Sequence, residues 1–277
     1  MKRNSTYVLF DSEATANRPG WAQAHSAIAS ALRAMRWPDR EGVTEFSIPR
    51  IVTIKAGQEY TDFRGKLVTV KKKAVTLRNG VRPLRDQFRR WMVEQRCNCE
   101  EKLGLAPFFQ QLRERDAIVF SRYRAPNEVE LEITDESFNE SVGDLDFWFQ
   151  TDSEFTTAVE WETGNISSSH RSLNKLCLAL MGGIIDAGVL VVPSFKLYPH
   201  LTDRIGNIRE LQPYFHFWNR FGTLVDRGLL AVIEVEYDGL QKSVDQRDFV
   251  PTGTDGNSPN RAAARRKPVR RTSPKKR

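Results

Sequence analysis

The chain has 277 residues, 40% hydrophobic and 28% charged, with a formal net charge of +7, a composition that excludes disordered and fibrous classes. No apolar run approaches the ~20 residues a bilayer span needs, and Met1-Lys2-Arg3-Asn4-Ser5-Thr6 leads into a strand-like run instead of a signal segment, so a cytoplasmic, membrane-free protein is expected. The charge is local: Arg261–Arg277 holds nine Lys or Arg and no acid, which leaves 33 bases against 35 acids, a net −2, over residues 1–260.

In chain order, the first predicted helix runs from Ala22 to Met35, with apolar residues near helical spacing. Residues 49–77 alternate apolar with polar or basic side chains (Ile51-Val52-Thr53-Ile54, then Lys66-Leu67-Val68-Thr69-Val70-Lys71), which predicts half-buried strands. Asn79-Gly80 is a turn, and Pro83 suits the first turn of a helix through about Gln95. Between Arg64 and Arg96 eleven basic residues stand against two acids, Asp86 and Glu94. That imbalance reads either as a solvated basic face or as a phosphate-contacting one.

The run from Gly143 to Phe149 reads as a strand, Gln150 to Glu154 as a polar turn, and Thr156 to Glu162 as a second strand. A helix is predicted from Asn165 to Met181, with Leu173, Leu176, Cys177 and Leu180 in one apolar stripe. Gly182-Gly183 ends it, Ile184 to Val192 is a buried strand stopped by Pro193, a helical stretch lies near Asn207 to Trp218, and Leu229 to Tyr237 is the last strong strand. Strands interleaved with helices predict an α/β fold, a central mixed sheet flanked by helices on both faces. Residues 257–277, rich in Pro, Ser, Arg and Lys, read as a disordered basic tail.

The three cysteines, Cys97, Cys99 and Cys177, fit neither a disulfide framework nor the usual zinc spacings, and the four histidines are scattered. Cys97 and Cys99 are taken as structural. A bound metal would have to be held by carboxylates, which points to magnesium or calcium. Residues two apart on a strand share a face, so Glu160 and Glu162 project together, with Val159 and Trp161 on the other side. Asp146, on the preceding strand, can be brought beside Glu160 across the hairpin. Acids so gathered repel unless cations compensate, and divalent ions there can activate water and stabilise the leaving oxygen of a phosphodiester. The alternative is a hairpin whose acids simply face solvent, and spacing alone does not choose between Asp146 and Asp144.

Asn165, Ser167 and Arg171 gather at the start of the predicted helix, where free N–H groups and the dipole favour phosphate; Asn and Arg also suit adenine and guanine edges. The plainer reading is that Asn165 and Ser167 cap the helix. Asp203-Arg204 sets an acceptor beside a donor fork, suited to a G·C pair or to a surface turn.

The string from Glu160-Trp161-Glu162-Thr163-Gly164-Asn165 through His170-Arg171-Ser172-Leu173-Asn174-Lys175-Leu176 resembles the BamHI/BglII-like group of type II restriction endonucleases, within the PD-(D/E)xK superfamily. The likeness continues at Gly183-Ile184-Ile185-Asp186, Leu201-Thr202-Asp203-Arg204, Glu210-Leu211-Gln212-Pro213-Tyr214-Phe215 and Gly253-Thr254-Asp255-Gly256, and upstream at Asn79-Gly80-Val81-Arg82-Pro83 and Glu101-Lys102. It covers roughly residues 79–102 and 143–256.

The resemblance implies a restriction-endonuclease core over residues 79–256, with residues 1–78 an extension carrying basic strands within the same globular unit. It implies Asp146, Glu160 and Glu101 as ligands of magnesium, two ions per site, and Glu162 as general base where most relatives have lysine. The same likeness favours Asp146 over Asp144. By position, Asn165, Ser167, Arg171, Asp203 and Arg204 would read GGATCC in the major groove, with Gly253 and Asp255 entering the minor groove. The cut would follow the first G and leave 5′-phosphates. A palindrome implies a two-fold homodimer, and a restriction enzyme implies a matching host methyltransferase. Two alternatives are a binding protein on a decayed nuclease fold, against which Asp146, Glu160 and Glu162 argue, and a structure-specific repair nuclease, against which the base-reading set argues.

Overall fold

The computed structural model describes residues 1–251 apart from 63, 95–99, 115–141, 152, 163–165 and 203–205. Its centre is a six-stranded sheet of β1 (Lys2–Ser12), β7 (Glu100–Leu103), β8 (Leu145–Gln150), β9 (Thr156–Trp161), β10 (Ala187–Pro193) and β11 (Gly228–Glu236), in the order β1-β11-β10-β9-β8-β7. β9, β10 and β11 run parallel, while β1, β8 and β7 join antiparallel. The sheet is therefore mixed, as the interleaved pattern predicts.

Alternation along the central strands sends side chains to two cores. Val189 and Val191 of β10 face one core with Phe147, Val159, Trp161 and the apolar faces of α1 (Pro19–Ala34) and α2 (Arg82–Glu94). Leu190 and Val192 face the other, with Leu173, Leu176 and Leu180 of α4 (Ile166–Met181) and Trp218 of α6 (Phe215–Phe221). Every residue of β10 and β11 is buried, as expected of strands covered on both faces. α4 crosses β10 at Gly188, where a Cβ would come within 3.0 Å of the Leu176 Cβ; the glycine lets the helix settle onto the sheet. Short α3 (Phe109–Glu114) adds Phe109 and Leu112 to that core.

Three details go beyond the sequence reading. The opening run forms an eleven-residue edge strand, β1, because antiparallel pairing to β11 supplies what its polar start could not reveal. The helical stretch near Asn207 to Trp218 breaks into α5 (Ile208–Leu211), a 3-10 turn over Gln212–Tyr214, and α6. Pro213 sits in that turn, where its missing N–H cannot continue an α-helical ladder. The alternating residues after position 49 stay out of the main sheet. β3 (Val52–Ile54) pairs with β6 (Val75–Leu77), and β4 (Glu59–Thr61) with β5 (Leu67–Thr69), as two small antiparallel ribbons. β2 (Ser47–Pro49) pairs instead with β12 (Gly239–Gln241).

Buried Asn79 ties distant segments together at the foot of these ribbons. Its Nδ2 donates to the carbonyls of Pro49 at 2.7 Å and His200 at 2.8 Å, and its Oδ1 accepts from Val250 N at 3.2 Å. Its own carbonyl accepts from Thr202 N at 2.6 Å, and Gly80 N donates to the Val250 carbonyl at 2.9 Å. The chain thus leaves the ribbons, passes this junction and enters α2, which lies over the edge of the sheet that holds the acids.

Candidate active site

β8 and β9 pair with Phe147 opposite Val159, which sets Asp146 beside Glu160 one position further along. The two strands exchange side-chain-to-backbone bonds there. Asp146 N donates to Glu160 Oε1 at 2.9 Å, and Trp161 N donates to Asp146 Oδ2 at 2.9 Å. Each carboxylate is fixed by the neighbouring strand, so neither needs a flexible loop to hold its place.

α4 supplies the rest of the shell around Glu160. Ser172 Oγ donates to Glu160 Oε2 at 2.7 Å, and Lys175 Nζ lies 2.9 Å from Oε1 while also donating to the Asp144 carbonyl at 2.6 Å. One turn earlier on the same helix, Ser169 Oγ donates to Glu162 Oε2. Glu160 and Glu162 therefore both meet α4, while Val159 and Trp161 pack into the opposite core. Gly206 backs this contact: a Cβ there would collide with the Ser169 hydroxyl and sit 3.2 Å from the Ile166 Cα.

The acids differ in surroundings. Burial raises the pKa of Glu160 above the usual carboxylate range; Lys175 opposes that rise, neighbouring Asp146 adds to it and Ser172 opposes it. Asp146 is more open, and its Oδ1 lies 3.4 Å from Arg85 Nη1 of α2. Arg85, Asp86, Arg89, Asp144 and Asp146 line an open cleft. Glu162 is only 2% exposed and borders a small apolar pocket with Trp161, Val191 and Leu197.

Asp146 and Glu160 are thus in contact and Glu162 is on the same helix-facing side. Glu101 pairs in register with Phe147 through β7, which brings its backbone beside the strand of Asp146; its side chain is outside the described residues. Ser167 and Arg171 are exposed, four residues apart on the outer face of α4. Asn165, Asp203, Arg204, Gly253 and Asp255 lie outside the described residues, as do Cys97 and Cys99. Among the described residues, no three His, Cys, Asp or Glu side chains gather into a metal cage, and no helix is long and apolar enough to cross a membrane.

Four partners escaped the sequence reading: Arg85, Ser169, Ser172 and Lys175. The last three carried a signal, since their spacing of three draws a polar line along α4 beside the apolar stripe.

A family model described as restriction endonuclease BamHI matches residues 1–257. The chain belongs to the BamHI restriction endonuclease family. Within that family it is 46% identical over 101 residues to the type II restriction enzyme OkrAI of Oceanobacter kriegii, which is 36% of this chain and 50% of OkrAI. It is 54% identical over 100 residues to the type II restriction enzyme BamHI of Bacillus amyloliquefaciens, 36% of this chain and 42% of that enzyme. The aligned stretch thus spans half or less of these curated relatives. Among solved structures, restriction endonuclease BglII complexed with a DNA 16-mer aligns over 89% of this chain and 86% of its own, with a TM-score of 0.45 and 9% identity. The BamHI family model begins at residue 1, so its reach includes β1, α1 and the small ribbons.

Proposed function

We propose that this chain is a type II site-specific endonuclease that hydrolyses phosphodiester bonds of double-stranded DNA with magnesium as cofactor. The observation that carries the reading is the Asp146–Glu160 contact across β8 and β9, open to a cleft that also presents Arg85 and Arg89. An acid pair beside cationic side chains suits a substrate that is itself an anion and arrives with a divalent cation.

The donors fit a hard cation. They are carboxylate oxygens, and magnesium is commonly held by one or two carboxylates with water completing the octahedron. Asp146 adds to the upward shift of the Glu160 pKa, after burial, so a cation held by these carboxylates would relieve a repulsion built into the hairpin. Asp146 and Glu160 would hold the metal, with Glu101 as a third ligand; when bound, magnesium supplies Lewis-acid stabilisation of the phosphoryl oxygens and a more acidic water.

The protein's own groups do the rest. Arg85 and Arg89 draw a phosphate into the cleft, and Arg85 exchanges its contact with Asp146 for one with that phosphate. Glu162 takes the proton of the attacking water, and Ser169 orients its buried carboxylate for that task. Lys175 and Ser172 oppose the upward push of burial on the Glu160 pKa and aim its carboxylate.

Ser167 and Arg171, with Asn165, Asp203 and Arg204, would read a palindrome in the major groove, and Gly253 and Asp255 would follow the minor groove. The family resemblance supports GGATCC as that palindrome, which a homodimer would cut after the first G to leave 5′-phosphates. A host methyltransferase would protect the site.

The test is digestion of unmethylated DNA of known sequence by the purified protein, with and without magnesium, followed by sequencing of the fragment ends. Discrete magnesium-dependent ends at GGATCC support the whole reading. Discrete cuts at another palindrome retain the enzyme and reject the specificity. Tight binding to one site with no cutting rejects the enzyme in favour of a binding protein.

A further inference from the structure

The two ribbons between Arg50 and Arg78 are unlike the rest of the molecule. They hold eight basic residues, Arg50, Lys55, Arg64, Lys66, Lys71, Lys72, Lys73 and Arg78, against two acids, Glu59 and Asp62. Removing that segment leaves 25 bases against 33 acids in the remainder of residues 1–260, a net −8 beside a segment of +6. All eight basic residues are exposed.

Both acids are engaged within the ribbon. Asp62 Oδ1 accepts from Arg64 N and Lys66 N, each at 2.9 Å, and Glu59 Oε1 accepts from Thr69 Oγ1 at 2.9 Å. Lys55, Lys66, Lys71, Lys72 and Lys73 make no ion pair among the described residues. Their mutual repulsion lowers the stability of a two-stranded ribbon that is marginal on its own, so the charge does not serve the fold.

The ribbons are firmly attached, however. Ile54, Val70 and Leu77 close a small core on Phe249, Ile51 N donates to His200 Nδ1 at 3.4 Å, and the Asn79 junction binds the foot of the ribbons to His200, Thr202 and Val250. These are the segments that lead directly into residues 203–204 and 253–255. A basic arm whose five lysines make no ion pair among the described residues is therefore fastened to segments that adjoin, in the chain, the stretches assigned to base contact.

We propose that the 50–78 arm grips the sugar–phosphate backbone of duplex DNA outside the recognition sequence. Lysine suits that task, because a flexible ammonium makes a point-charge contact with phosphate and carries little base information. The inference rests on the nuclease reading above and adds to it a footprint longer than the site. It also gives the acidic body a means of approaching a polyanion: DNA meets the basic arm first, then the cleft.

The full-length protein with Lys71→Ala, Lys72→Ala and Lys73→Ala together tests it. Equilibrium binding is measured without magnesium, between about 50 and 200 mM salt, on a duplex carrying only the site and on one with long flanks. Wild type should bind the flanked duplex more tightly, and the triple variant should lose about tenfold or more on it but far less on the short one. Its salt dependence on the flanked duplex should flatten by roughly two to three in slope, since each phosphate contact contributes about 0.9. A melting temperature within a few degrees of wild type confirms an intact fold, as expected for exposed lysines. An unchanged slope and affinity in a variant of a protein that binds its site overturns the arm alone. A wild type that binds neither duplex overturns the nuclease reading and the arm with it.

Discussion

Lys175 and Glu160 form a buried ion pair, Nζ to Oε1 2.9 Å, with side chains 9% and 5% exposed. A carboxylate so enclosed, next to Asp146, needs an internal cation for the hairpin to close before any external one arrives. Removing one member of a buried pair leaves the other uncompensated, typically about 3–5 kcal/mol. Lys175→Met should therefore lower unfolding free energy by about that amount in urea titration, with millimolar magnesium restoring part of the loss. A change below about 1 kcal/mol would show that the pair is dispensable.

Glu160→Gln keeps the volume and removes the charge that pairs with Lys175 and would hold the metal. Loss of several kcal/mol of charge stabilisation corresponds to about a thousandfold in rate. Cleavage should fall by at least about that factor while specific DNA binding persists in a gel-shift assay. Cleavage within tenfold of wild type would remove Glu160 from the chemistry.

Gly206 leaves room for the Ser169 hydroxyl that donates to Glu162. Gly206→Ala should push that hydroxyl off the carboxylate and lower the cleavage rate. Ser169→Ala acts on the same contact, so the double variant should be no slower than the worse single one. Additive losses would separate the two positions.

His25, His170 and His200 all have pKa values lowered, each mainly by burial, with Arg50 adding to the effect at His200. Protons then bind the unfolded chain, with histidine pKa near 6.5, more readily than the folded one. Stability is full above about that pH and is lost as pH falls through the window down to the depressed folded values. Urea midpoints taken across pH for wild type and His200→Gln should differ in slope, the variant falling less. Equal slopes would remove His200 from the linkage.

Burial pushes the Cys177 thiol up to about 12, and the side chain is closed into the core beneath α4. Iodoacetamide at about pH 8 should leave Cys177 unmodified in the native protein and modify it in denaturant, as read by peptide mass mapping. Rapid native labelling would show that this core opens.

The periodicity of the sequence determined the elements that carry the site. Alternation over Gly143–Phe149 and Thr156–Glu162 gave the hairpin that joins Asp146 to Glu160, and the stripe of Leu173, Leu176 and Leu180 gave the helix laid across it. Those signals are local, because pleat and helical repeat act within a few residues. Tertiary structure alone decided what compensates the acids. Arg85 reaches Asp146 from 61 residues away and Lys175 reaches Glu160 from 15, distances over which no repeat connects the partners. It also decided that Glu162 is buried against Ser169, because β9 ends at Trp161 just where α4 covers the next residue. The alternation over 49–77 predicts half-buried strands and strands form there, but only the tertiary structure decided that they pair among themselves as basic ribbons outside the main sheet. Strand pairing is a choice among distant partners, and one chain read in order does not contain that competition.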